Sequence, residues 1–405
     1  MNGELSSIQL WLLSPLAVIG LALLLSQVLG ILLQSRGLPK LYGAVIAGLV
    51  LGVSGFGLVD APLLSQFQEL FNAASALVLF EVGRKMDLAW LWRGGREGAT
   101  LLAACLLRGA GTLACLLLFG LDWSEAFFIA AILIAVNPVV FSSMAADANA
   151  SGVATYAGGN MVGLSNLMAL LALSVALAWT RSGADGFSWA GFGNELGGQG
   201  MKLLLGAAIA VLCYGMYAVA TRLCRAKASM RPAMLLAALL MDLGLCSVSS
   251  ASALLSLLLM GLLLRNAENR ENVFQAQIKT GQDIGYALLF MMSAALVDIV
   301  HLAHWPTLLL ALLIFTQRSL LTRVALIPAG AWSRDKKNAI AVSLCSLVSF
   351  GALVVDNSLA GTPGMSELGS STMQALLALN VLIGPGLTWW GLKMAGETHE
   401  GERDE

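Results

Sequence analysis

The sequence predicts an all-α membrane protein of about thirteen transmembrane helices, and three observations predict it. Apolar stretches of membrane-crossing length follow one another along the whole chain. Basic residues collect in every second gap between them. Of 405 residues, 58% are hydrophobic and 12% charged, with a mean hydropathy of +0.80. About half of an average soluble chain is apolar, so a soluble core has no room for this excess. A run of roughly 20 apolar residues crosses the hydrocarbon core as a helix, which satisfies its own backbone groups there.

The spans read as 8–33, 41–57, 67–84, 99–119, 125–146, 154–179, 199–221, 232–247, 249–265, 281–300, 305–330, 338–356 and 371–392. The first is too long for a signal peptide and lacks a cleavage pattern. The second is Gly-rich. The third, LVLFEVGRKM, carries Glu81 one turn before Arg84 and Lys85, which fits a local helix ion pair as well as a functional acid. The fourth, LLAACLLRGAGTL, holds Arg108 well inside its length, beyond easy snorkelling. Ionisable groups inside spans cost at least about 2.5–3.5 kcal/mol on insertion scales, which makes each a functional candidate.

The fifth span, AFFIAAILIAVNPVVFSSMAADA, has Asn137-Pro138 near its centre. Proline removes a donor and clashes with the preceding turn, and carbonyls freed at membrane depth need other partners. The reading is a broken helix lining a site. The sixth, TYAGGNMVGLSNLMALLALSVALAW, brings Asn160, Ser165 and Asn166, with Gly158, Gly159 and Gly163 allowing a close neighbour. The eighth holds Asp242, the only clearly mid-span acid, read either as lining a cavity or as pairing with an arginine. The eleventh, LLIFTQRSLLTRV, buries Arg318, while Arg323 nearer its end snorkels. The twelfth softens at Ser343, Ser346, Ser349 and Gly351, giving a second broken helix. Paired interruptions in corresponding halves point to the midplane site of a carrier.

Eighteen of the 23 basic residues fall in one set of gaps and the tail, and only Arg181 and Lys202 in the opposite set. Lys and Arg are retained on the cytoplasmic side, so the N-terminus is expected outside and the C-terminus in the cytoplasm. Other features exclude functions. A net charge of −1 offers no basic face for nucleic acid, and no nucleotide-binding domain is appended. The six cysteines have no metal spacing and read as small core hydrophobes. His301, His304 and His399 read as interfacial or tail residues. No cofactor or metal is expected. Neither a catalytic motif nor a repeated channel filter is present, so an enzyme is not expected. The tail GETHEGERDE reads as disordered.

The segments GLPKLYGAVIAGLVLGVSGFGLV, ALVLFEVGRKMDL, AVNPVV and LGLCSVSSASALLSLLLMGLLLRN resemble the cation:proton antiporter superfamily of sodium/proton and potassium/proton exchangers. The resemblance implies two inverted six-helix repeats with crossed broken helices and a second copy as partner, in a homodimer in a bacterial inner membrane. It divides the chain into scaffold helices 1–3 (1–98), core helices 4–6 (99–180), scaffold helices 7–10 (181–304), core helices 11–13 (305–393) and a cytoplasmic tail (394–405). It places a site at Asn137, Pro138, Ser165, Asn166 and Ser346, with Arg318 as the basic residue of helix eleven; Arg108 and Asp242 join as candidates from their depth in the spans.

The sequence departs from the family where the family carries its acid. GLSNLMAL puts Ser165 and Asn166 on the acidic pair of the sixth helix, with Asn166 on the ion-carrying aspartate. An amide has no proton to release near neutral pH. Three readings follow. A monovalent cation and a proton exchange, with Asp242 or Glu81 as the proton carrier. Alternatively, Arg108, Arg318 and half-helix N-termini carry a small anionic solute. In the last, the chain transports nothing and serves as a membrane subunit or sensor.

Overall fold

A computed structural model describes residues 14–183, 188–224, 230–267, 272–299, 304–347 and 365–398. The described residues form sixteen helices, and the one pairing of β type is the single antiparallel bridge Val136–Leu347. In order they are α1 (Pro15–Gln34), α2 (Leu41–Leu51), α3 (Ala61–Gln66), α4 (Gln68–Lys85), α5 (Leu88–Arg93), α6 (Arg96–Leu118), α7 (Trp123–Leu133) and α8 (Pro138–Asp147). There follow α9 (Val153–Ser182), α10 (Trp189–Leu223), α11 (Arg231–Ser249), α12 (Ala253–Ala267), α13 (Asn272–Ala295), α14 (Trp305–Ala325), α15 (Arg334–Ser343) and α16 (Glu367–Met394). Seven of them, α1, α6, α9, α10, α11, α14 and α16, are long and apolar enough to cross a membrane. Shorter apolar helices, including α2 and α7, lie among them.

Capping marks the entries into several helices. Asp122 opens α7, Ser188 opens α10, Ser333 opens α15 and Ser366 opens α16, each accepting a backbone N–H of the first turn. Between helices, glycine sets the closest approach. A Cβ on Gly83 of α4 would collide with the Leu258 carbonyl of α12, and one on Gly261 of α12 with the Phe80 carbonyl of α4. The two backbones therefore touch directly, as small residues permit in membranes.

Burial runs opposite to a soluble protein. Leucines and valines of α1 and α10 such as Leu24, Leu204, Val211 and Val219 face outward, while the largest fully buried side chains are Arg108 and Arg318. Lipid is a good solvent for the first group and a poor one for the second.

Several boundaries differ from the sequence reading. α10 begins at Trp189, so most of the 181–202 segment, Lys202 included, is helix rather than loop. The Ser188 cap allows this start, and turns outside the hydrocarbon need no apolar run. Likewise α13 starts at Asn272, nine residues before the apolar stretch. The close neighbours of Gly158 and Gly163 are the side chains of Phe141 and Met86 rather than a backbone, and Gly159 has none. Arg323 is half-buried in the last turn of α14, and its Nε donates to Asn338 Oδ1, which ties α14 to α15. Ser349, Gly351, His301, His399 and the tail beyond 398 lie outside the described residues.

Candidate functional site

Pro138 determines the first break. It has no N–H to give to Ile134, and it holds Asn137 extended at φ −67° and ψ 110°. Asn137 then caps α8, its Oδ1 accepting from Val139 N at 3.0 Å and Val140 N at 3.3 Å. Those two amides would otherwise have served the carbonyls of Ala135 and Val136 one turn back. The N–H of Asn137 is also diverted, to Ser346 O at 3.4 Å, which releases the Leu133 carbonyl. The break thus strands a run of carbonyls at the C-terminal, negative end of α7.

Arg318 and Asn166 take those carbonyls up. Arg318 Nη1 donates to Leu133 O, and its Nη2 donates to Ala135 O at 3.0 Å and Ser346 O at 3.5 Å. Asn166 Nδ2 donates to Val136 O at 3.0 Å and to Val162 O, in its own helix, at 2.8 Å. Beside it Ser165 Oγ accepts from Val136 N at 3.1 Å and donates to Val162 O at 3.0 Å.

The second break lies at 344–347, directly after α15, and runs antiparallel to the first through the Val136–Leu347 bridge. Arg108 Nη1 donates to Leu344 O at 3.3 Å, and its Nη2 meets Cys105 Sγ at 3.8 Å. Two residues of α16 complete this side: Asn380 Oδ1 accepts from Leu347 N at 2.8 Å, and Thr388 Oγ1 donates to Ser343 O at 3.0 Å. Sequence reasoning passed over both. The available signal was that each is a polar residue within an otherwise apolar span.

The structure therefore brings together Arg108, Asn137, Pro138, Ser165, Asn166, Arg318 and Ser346. Among the described residues no carboxylate bonds to either break. Ser346 Oγ and the Nε atoms of both arginines are buried without a hydrogen-bond partner, whereas the terminal guanidinium nitrogens are engaged. The arrangement can neutralise two half-helix C-termini and hold two extended segments in register. Its described residues include no side chain of a type that titrates near neutral pH.

Asp242 and Glu81 lie elsewhere. Asp242 of α11 accepts from Ser256 Oγ of α12 at 2.6 Å, with the Cys213 thiol of α10 against the same carboxyl. The pairing of Asp242 with an arginine, one of its two readings, is not formed among the described residues; the terminal nitrogens of Arg108 and Arg318 meet the carbonyls of Leu344, Leu133, Ala135 and Ser346 and the Cys105 sulfur instead. Glu81 is buried in α4 and pairs with Arg84 at 2.9 Å and Lys85 at 3.4 Å. Lys85 Nζ reaches on to Ser142 Oγ of α8 at 3.2 Å, so the Glu81 cluster touches the broken helix from outside.

A further polar cluster lies where α4 meets α5. Arg265 Nη2 pairs with Asp87 Oδ2 at 3.1 Å, and Tyr156 Oη donates to the same oxygen at 2.5 Å. Burial alone would push the Asp87 carboxyl up. The bonds from Tyr156 and Trp90 N and the charge of Arg265 outweigh it and hold the group below the usual carboxylate range.

The transmembrane domain of sodium/hydrogen exchangers matches residues 16–390. No curated protein matches the sequence. Among solved structures, the chain is similar to the sodium proton antiporter MjNhaP1 of Methanocaldococcus jannaschii at pH 8. The identity is 16%, the TM-score 0.66, and the match covers 94% of this chain and 95% of that one. An electron-microscopy map of the same antiporter gives 15% identity and a TM-score of 0.62, covering 95% and 98%.

Proposed function

We propose that this chain, which belongs to the sodium/hydrogen exchanger family, is a secondary carrier exchanging a monovalent cation for protons with its proton-carrying carboxyl displaced from the crossing of the broken helices. The core comprises α6–α9 and α14–α16, and it moves against a scaffold of α1–α5 and α10–α13. Thirteen crossings in two inverted repeats, an outside N-terminus, a cytoplasmic C-terminus, a bacterial inner membrane and a homodimer complete the reading. The observation that carries it is Asn166. Its amide donates to Val136 O and Val162 O, at the position where the family resemblance expects a titrating acid.

Glu81 is the better proton carrier of the two acids. It is buried, and through Lys85 its cluster contacts Ser142 of the broken helix, so core movement changes its surroundings. Asp242 of α11 meets Cys213 of α10 and Ser256 of α12, all on one side of the same boundary. The anion reading loses its support, because the terminal nitrogens of both buried arginines are engaged by protein acceptors.

The test is sodium-, potassium- or lithium-driven proton movement in everted vesicles. Wild type should exchange, Asp242→Asn should exchange as well, and Glu81→Gln should not, while remaining monodisperse in detergent. Unchanged exchange in Glu81→Gln would sink the assignment. A second reading, a non-transporting subunit, is favoured by the same doubly engaged amide. Wild-type silence with all three cations, together with exchange in Asn166→Asp, would establish it.

A further inference from the structure

Asp87 lies between the end of α4 and the start of α5, and its Oδ1 accepts from Trp90 N at 2.9 Å. Its other polar atoms turn to distant segments. Oδ2 accepts from Arg265 Nη2 of α12 at 3.1 Å and from Tyr156 Oη of α9 at 2.5 Å. The Asp87 N–H donates to Asn160 Oδ1 of α9 at 2.7 Å. Asn160 is aimed from its own helix, since its Nδ2 donates to Tyr156 O at 3.1 Å. Arg265 is held from the other side, its Nη1 donating to Arg84 O at 3.1 Å. The Trp90 ring meets Tyr156 edge-on, with centroids 5.6 Å apart, and stacks at 6.5 Å on Trp332 from the connection between α14 and α15.

These residues sort by body. Arg84, Asp87, Trp90 and Arg265 belong to the scaffold; Tyr156, Asn160 and Trp332 belong to the core. The bonds within the scaffold do not need the core. When Tyr156 and Asn160 withdraw, Asp87 keeps a cation and a backbone donor, so its charge is not left bare. The side chains of Asp87 and Arg265 are 25% and 21% exposed, and water can take the places that the core vacates. Arg318 is the opposite case, with fully buried donors on stranded carbonyls. A cluster satisfied on one side with or without the other can open and reclose at small cost.

We propose that Asp87, backed by Arg265, is a latch that grips Tyr156 and Asn160, holds the core against the scaffold, and sets how often the core leaves this arrangement. The latch rests on the two-body reading proposed for this chain. Movement between two arrangements is a ratio of populations, and a bond made in only one of them changes that ratio by a fixed factor. Two other bonds cross the same boundary, Lys85 Nζ to Ser142 Oγ at 3.2 Å and Lys40 N to Asp147 Oδ2 at 3.0 Å. They act alike on wild type and latch variants, so the factor due to Asp87 stands.

Pulsed electron–electron spin resonance on the full chain in detergent measures the ratio. Cys224 of the scaffold is the one exposed cysteine and takes one label. Ile327→Cys, 60% exposed on the core, takes the other. A second pair, Leu118→Cys with Ile327→Cys in a Cys224→Ser background, reports within the core. Wild type should give one dominant distance between the bodies. Tyr156→Phe keeps the ring against Trp90 and should raise the ratio of a second distance to the first about tenfold, the effect of one bond to a charged group. Adding Asn160→Ala should raise it further. Thr112→Val breaks the 2.9 Å bond from Gln317 inside the core and should leave the ratio at its wild-type value. An unchanged ratio in the Tyr156→Phe, Asn160→Ala double variant overturns the latch. An equal rise in Thr112→Val overturns it as well, because the effect is then general loosening. A second distance within the core overturns the two-body reading and the latch with it. The vesicle assay of Glu81→Gln succeeds or fails independently of these distances.

Discussion

The crossing of the broken helices and the boundary around α8 divide the polar chemistry of this protein unevenly. At the crossing every engaged side chain is an arginine, an amide or a hydroxyl, and their partners are mostly stranded backbone groups. Around α8 the side chains are Glu81, Asp147 and Asp283, and they lie among lysines and hydroxyls. Both regions are buried, so burial alone does not make a titrating site. What separates them is the identity of the acceptor. Backbone carbonyls demand permanent donors and are best met by groups that never change charge. Carboxylates exchange partners, which is the property a carrier requires.

The largest effect should come from removing the permanent donors. Arg318→Met strands the carbonyls of Leu133 and Ala135, while Ser346 O keeps the Asn137 N–H; at about 1–3 kcal/mol for each orphan a total of roughly 2–6 kcal/mol is expected. Arg108→Met strands only Leu344 O and should cost visibly less. Thermal unfolding of the two variants compares them directly, and equal losses would remove the division of labour argued here.

Asn166→Asp comes next. A carboxylate cannot donate to Val136 O or Val162 O, so the variant should lose about 1–3 kcal/mol, even if it gains exchange. A wild-type midpoint in this variant would mean that the amide is not holding the break.

Asn137→Ala removes the cap of α8 and should cost about 0.5–2 kcal/mol, whereas Asn137→Asp keeps an acceptor and should cost less. A reversed order in the same unfolding measurement would remove the capping role.

The smallest effect is one of pH, at the Asp87 cluster. The folded carboxyl titrates below its unfolded value. Its contribution is therefore present above the unfolded pKa of about 3.9 and is lost as pH falls through the folded value. Because the pair is partly exposed, the loss should stay below about 1 kcal/mol. Asp87→Asn should flatten the wild-type acid limb below about pH 4; an unchanged limb would assign it to other acids.

How much of this was legible varies by residue. Asn137-Pro138 announced its break, because proline acts locally on the chain and needs no partner to do so. Arg108 and Arg318 were legible as buried, but their role was not. The resemblance and the charges left an anion site open, and only the acceptors, which lie 185 and 236 residues away in sequence, turned them into donors to helix ends. Asn380 was invisible, since one amide in an apolar helix looks like any other until Leu347 N is seen to meet it. The Asp87 cluster was hidden for the same reason: Asp87, Tyr156 and Arg265 come from three distant segments.

By itself, then, the sequence determined that this is a helical membrane protein, which helix breaks at Asn137, and that the sixth span lacks an acid. Those properties follow from composition, periodicity and covalent geometry, which act over a few residues. Tertiary structure alone decided which stranded carbonyl each buried donor serves, that Asp242 stands apart from the arginines, and that Asp87 meets both Tyr156 and Arg265. Such hydrogen bonds are set by distances between segments far apart in the chain, and no local pattern carries those distances.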